Sequence, residues 1–66
     1  MIADNLKRLR ELRGLSQSGL AEKASLSLNC IKFLEGGQRP DPQASTLMAL
    51  ARALRVSVDR LLENRR

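Results

Sequence analysis

The sequence predicts an all-α fold of five short helices, and three observations carry that prediction. Apolar residues recur at spacings of three and four along most of the chain, as they do when one stripe of a helix faces a core. Leu, Ala, Arg, Glu and Lys, all good helix formers, make up much of the composition, while Phe33 is the single aromatic residue. Polar residues with short oxygen-bearing side chains stand just before several apolar runs, where a helix needs an acceptor for its first free N–H groups.

Ile2 to Arg13 reads as the first helix, with Ile2, Leu6, Leu9 and Leu12 as its apolar stripe. Lys7, Arg8, Arg10 and Arg13 share it with Asp4 and Glu11, and for Lys7 and Arg8 a solvated basic face is the expectation. Gly14 suits the C′ position, where a left-handed residue is wanted.

Ser16 is the expected N-cap of a second helix, in which Leu20, Ala21 and Ala24 share a face. Gly19 stands where a capping box would place Glu, so the reciprocal cap bond is absent. Ala24-Ser25-Leu26-Ser27 then forms a tight turn, with Leu26 dropping back into the core. Ser27 precedes a third helix whose inward stripe is Ser27, Cys30, Ile31 and Leu34. Its opposite face carries Leu28, Asn29, Lys32, Phe33 and Gly36. An amide, a cation and two large apolar groups on one exposed surface suggest a contact surface.

Gln38 to Gln43 is expected to be a loop, because its two prolines preclude a regular helix across both. Asp41-Pro42 has the chemistry of an N-cap and first helical residue, so the fourth helix is expected from Pro42 to Leu54, with Leu47, Leu50, Ala51 and Leu54 inward. Ser57 caps a short fifth helix, Val58 to Glu63, and residues 64–66 are expected to fray. No repeat or linker interrupts the chain, so residues 1–66 are expected to form one domain.

Composition narrows the function. A 66-residue chain with 42% hydrophobic residues builds one small, mostly Leu and Ala core. Cys30 is the lone cysteine and is read as a small core residue, which leaves no partner for a disulfide or a cysteine-based metal cluster. There is no His, which removes the commonest general base and metal ligand. No nucleophile–base pair, paired carboxylates or phosphate cradle has catalytic spacing, and Gly36-Gly37 follows no strand. An enzyme is therefore not expected, and neither is a cofactor. No apolar run is long enough for a membrane span and no signal-peptide core opens the chain, so a cytoplasmic protein is expected. A net charge of +5 favours nucleic acid, an anionic membrane or an acidic protein partner. The cations are dispersed over several helices, which argues against the membrane.

The run Gln17 to Gly36 resembles the helix-turn-helix of the lambda and 434 repressor and Cro family, also called XRE-type. Leu15-Ser16-Gln17, Leu20-Ala21, Leu26-Ser27, Ile31, Leu34-Glu35 and Gly37 carry the resemblance, which extends from Leu6 to Leu62. It implies a compact five-helix lambda-repressor-like DNA-binding domain with the helix-turn-helix at about 17–36. It also implies an ion pair between Arg10 and Glu35 that ties the first helix to the third. The sequence departs from the family pattern at Gly19, where an acidic residue is commoner, and at Ser25, where Gly is usual. It departs again in the longer stretch between Gly37 and Thr46-Leu47, and in the apolar Leu28 and Phe33, where most relatives carry polar residues.

With the third helix in a major groove, Leu28, Asn29, Lys32 and Phe33 are the expected base-contacting residues. Asn29 has the two hydrogen-bonding groups an adenine edge requires, Lys32 can donate to guanine or phosphate, and Leu28 and Phe33 can cover a thymine methyl. The plainer readings are a solvated surface for Asn29 and Lys32, and for Phe33 packing along the core edge or against the Gln38 to Pro42 loop. Gln17, Ser27 and Arg39 are the expected phosphate contacts, Gln17 by resemblance and by its place at a helix N-terminus. The resulting expectation is a double-stranded DNA-binding regulator, most simply a repressor. It would bind a palindromic operator as a homodimer joined through Val56, Val58, Leu61 and Leu62, with half-sites roughly 34 Å apart. The alternative is a protein-interaction module that docks a partner on Leu28 and Phe33. An antitoxin or restriction-system controller on the same fold stands between the two.

Overall fold

The structure is a computed structural model that describes residues 2–37 and 42–63. Five helices follow in order: α1 (Ile2–Leu12), α2 (Gln17–Ala24), α3 (Leu28–Glu35), α4 (Ala44–Leu54) and α5 (Val58–Leu62). No strand occurs among the described residues.

Helix α3 lies against α1 and α2, while α4 packs on α2, and α5 closes the bundle by packing on α1 and α4. The side chains that meet at the centre are almost all leucine: Leu6, Leu20, Leu34, Leu50, Leu54 and Leu61 are fully buried with Ile31. Leu15, Leu26, Cys30, Leu47, Val56 and Val58 pack around them, partly covered. Full burial of one such leucine contributes about 1.5–3 kcal/mol, which is how a core without buried aromatics holds a chain this short.

Serine caps start three of the helices. Ser16, Ser27 and Ser57 each accept a hydrogen bond from the N–H three residues on, at 3.0, 3.1 and 3.2 Å. Helix α1 ends at Leu12, and Gly14 follows at φ 70°, so that the Leu15 N–H reaches back to the Arg10 carbonyl at 3.1 Å. Helix α2 ends the same way, but with Ser25 at φ 56° in the left-handed position. The Leu26 N–H bonds to the Ala21 carbonyl at 2.9 Å and turns the chain into α3.

Two local expectations are corrected. Helix α4 begins at Ala44, two residues later than Pro42, and its N-cap is Gln43, whose side chain makes no capping bond. Pro42 instead belongs to the approach to the helix, because a φ near −65° serves extended backbone as well as a first helical turn. Leu12 does not join the core stripe of α1 and is 69% exposed. Leu12 lies on nearly the same face as Asn5, two turns earlier, so its exposure follows from its place at the end of α1, beyond the point where Leu61 and Glu63 meet that helix. Asn5, at the other end of α1, is buried instead and is 3% exposed. The Asn5 amide donates to the Leu61 carbonyl at 2.8 Å and to the Glu63 carbonyl, fastening the last helix to the first.

Candidate nucleic-acid interface

Helix α3 is presented by what lies behind it. Ile31 and Leu34 sink into the core at its inner side, and its outer side is left with Leu28, Asn29, Lys32 and Phe33, all exposed. Leu28 and Phe33 are 36% and 43% exposed although both are large and apolar. Cys30 sits between the two sides, partly buried. Ser27 is used as the N-cap of α3. Its oxygen accepts the Cys30 N–H, and among the described residues its O–H has no acceptor, so it can donate outward from the exposed start of the helix.

The orientation of α3 is fixed at its far end by Glu35. Arg10 Nε donates to Glu35 Oε2 at 2.6 Å and Arg10 Nη2 to Oε1 at 3.0 Å, a two-pronged pair whose side chains are 11% and 6% exposed. Arg10 Nη1 spends its remaining reach on the Leu15 carbonyl at 2.8 Å, so one guanidinium joins α1, the loop before α2 and α3. The hydrogen bond to Glu35 raises the Arg10 pKa above the ordinary arginine range, while burial pulls it the other way and the charges of Glu35 and Glu11 add to the rise.

Gln17, at the first residue of α2, joins the same cluster. Its Nε2 donates to Glu35 Oε1 at 3.2 Å. An amide nitrogen carries two hydrogens, so one is held by Glu35 and the other is available to an oxygen outside the protein. The α2 N-terminus adds its own partial positive charge there. Gln17 and Ser27 thus stand at the starts of α2 and α3, while the Arg10–Glu35 pair secures the C-terminal end of α3. Arg39 lies outside the described residues.

The expected dimer residues separate. Leu61 is fully buried among the core leucines, where α5 packs on α1 and α4, so it is a core residue of the single subunit and has no surface to offer a partner. Val56 and Val58 are partly covered by the same core, and Leu62 is 51% exposed.

Three contacts escaped the sequence reading. Asn5 occupies an apolar stripe, where a lone amide signals a backbone partner across the core. Arg13 donates from Nε to the Leu54 carbonyl at 2.8 Å and from Nη2 to the Arg55 carbonyl at 3.4 Å, closing the end of α4. Nothing local to Arg13 signals that role. The third is the Gln17–Glu35 bond, which appears only once α2 and α3 are placed. Among the described residues no cluster of three or more His, Cys, Asp or Glu offers a metal site. No described helix is long and apolar enough to cross a membrane.

Two short helices joined by a tight turn, the second exposing a mixed polar and apolar face, define a helix-turn-helix protein. The sequence profile of the helix-turn-helix domain family matches residues 2–63, and the chain belongs to that family, in its XRE-type branch. A control protein, C.SmaI of Serratia marcescens, is 39% identical over 62 residues, covering 94% of this chain and 73% of that protein. The solved structure of SinR, the master regulator for biofilm formation, in complex with DNA superposes with a TM-score of 0.92 at 33% identity. That match covers 96% of this chain and all of the SinR chain.

Proposed function

We propose that the protein is a sequence-specific, double-stranded DNA-binding transcriptional regulator that lays α3 into the major groove. The observation that carries this reading is the exposed face of α3, with Asn29 and Lys32 between Leu28 and Phe33, held rigidly by the Arg10–Glu35 pair. A groove-reading helix needs donors and acceptors for base edges on an element whose angle is fixed in advance. The match to SinR, solved with DNA bound, supports the same reading.

In this proposal Leu28, Asn29, Lys32 and Phe33 meet base edges, and Gln17, Ser27 and Arg39 meet phosphates. One such helix reads few base pairs, so two subunits on a palindromic operator supply the specificity, and occupancy of a promoter represses it. The joining surface is taken from Leu62, Val56 and Val58, without Leu61.

Selection of bound duplexes from a random pool, at near-physiological salt, tests the proposal. Enrichment of a two-fold symmetric motif is the expected result, and Leu62→Asp should weaken binding to it while leaving a single half-site untouched. Salt-sensitive binding without enrichment would reduce the interaction to its nonspecific electrostatic part and overturn the operator. The exposure of Leu28 and Phe33 also suits a docked protein partner. That reading requires Leu28→Ala and Phe33→Ala to leave DNA affinity intact.

A further inference from the structure

Resting on the DNA reading, we infer that Leu28 and Phe33 read pyrimidine C5-methyl groups, which makes the protein responsive to cytosine methylation within its site. Both side chains stand on the outward face of α3, and neither carries a donor or acceptor. In the major groove every base edge is polar except at one place, the C5 position of a pyrimidine, where thymine bears a methyl group and cytosine only hydrogen. That methyl is the one group in the groove against which an exposed Leu or Phe gains contact without leaving a base donor or acceptor unpaired.

The spacing on α3 agrees with two such contacts. Five residues separate Leu28 from Phe33, about 7.5 Å along the helix axis at 1.5 Å per residue. The two are also about 140° apart around the axis at 100° per residue, so they stand at the two flanks of the outward face and meet different base pairs. Asn29 and Lys32 lie on the arc between them and are exposed. These two fix the register by hydrogen bonds, and the apolar pair then senses what C5 carries on either side. A 5-methylcytosine presents its methyl where thymine does, so methylating a cytosine at either position turns an unmatched edge into a contact. The covalent step belongs to a separate DNA methyltransferase, and this protein only reads its product.

Duplexes built on the selected motif test this by equilibrium titration at fixed salt. Replacing thymine by uracil at one position removes the methyl and leaves every hydrogen-bonding group in place. An affinity loss of about fourfold per position is expected, the factor that corresponds to about 0.8 kcal/mol for one buried methyl-sized group. Putting a C·G pair there and then 5-methylcytosine should restore a similar factor. Phe33→Ala should erase both differences at its position and Leu28→Ala at the other, with circular dichroism confirming that each variant folds. Equal affinity for thymine and uracil throughout a selected motif overturns the methyl reading and leaves the DNA reading standing. Methyl sensitivity that survives both alanine variants overturns the assignment to Leu28 and Phe33. Failure to select any motif overturns the DNA reading first, and this inference falls with it.

Discussion

Arg10 and Glu35, twenty-five residues apart, meet through two parallel hydrogen bonds at 2.6 and 3.0 Å with their side chains almost wholly covered. The pair sets the angle of α3 against α1, and its energetics are lopsided. Forming a buried pair gains little over a well-packed apolar one, but removing one partner strands the other charge. Arg10→Met or Glu35→Leu alone should therefore cost about 3 kcal/mol, a large share of the stability of so small a domain. Urea denaturation of the double variant should recover much of that loss. Its α3 should then be less firmly oriented, so specific binding should fall further than stability.

The same pair predicts the response to alkali. Arg10 titrates above the ordinary arginine range in the folded state, because the hydrogen bond to Glu35 favours its charged form. A group with a raised folded pKa gives its full stabilisation below the unfolded value and loses it only as pH climbs through the folded one. Denaturant midpoints of wild type and Arg10→Met should thus differ by a constant amount from neutral to moderately alkaline pH. Convergence of the two curves in that span would contradict the assignment.

Ser25 holds a left-handed conformation, φ 56°, ψ 41°, that glycine adopts freely. Ser25→Gly should stabilise the protein by about 0.5–1 kcal/mol, since the relief of strain at that residue exceeds the added flexibility of the unfolded chain. Thermal melting should show this as a rise of several degrees. No change in DNA specificity is expected, because the turn geometry is preserved.

Contacts to bases and to phosphates should separate in titrations. Asn29→Ala should lose about tenfold or more on the selected motif and relax the preference at one base pair, with little effect on nonspecific duplex. Gln17→Ala should weaken binding to all sequences by a similar factor, because phosphate contacts carry no sequence information. Lys32→Ala discriminates between its two roles. A reduced salt slope marks a phosphate contact, and relaxed specificity marks guanine.

The fold was legible wherever local chemistry and periodicity agreed. Leu6, Leu20, Ile31, Leu50 and Leu54 announce their burial by spacing, and Ser16, Ser27 and Ser57 announce helix starts by their oxygens. The start of α4 is misread because a proline φ fits two conformations, and Leu12 because spacing gives a residue's face but not whether anything covers that end of the helix. Leu61 was misplaced for a different reason. An apolar residue in a short terminal helix looks the same in sequence whether it faces its own core or a partner, and only the packing of α5 on α1 and α4 decides. The outward face of α3 was readable by elimination once Ile31 and Leu34 were turned inward. The Gln17–Glu35 bond was not, since it depends on the relative placement of two helices.

Asn5→Leu should cost about 2 kcal/mol, because it leaves the Leu61 and Glu63 carbonyls without the donor that now meets them. Hydrogen exchange should detect the loss first in α5, as faster opening of its amides than of those in α3.

The link from Asn5 to Leu61 spans 56 residues, nearly the length of the chain, and this has a consequence for biosynthesis. A ribosome that has released α1 to α4 has released the entire helix-turn-helix, yet Asn5 is still without a partner and Leu61 has not filled the centre. Closure waits for α5 to clear the exit tunnel, so the helix-turn-helix is synthesised before the bundle that supports it can close. Force measured on stalled nascent chains should accordingly peak only after Glu63 emerges, with little signal when α3 does.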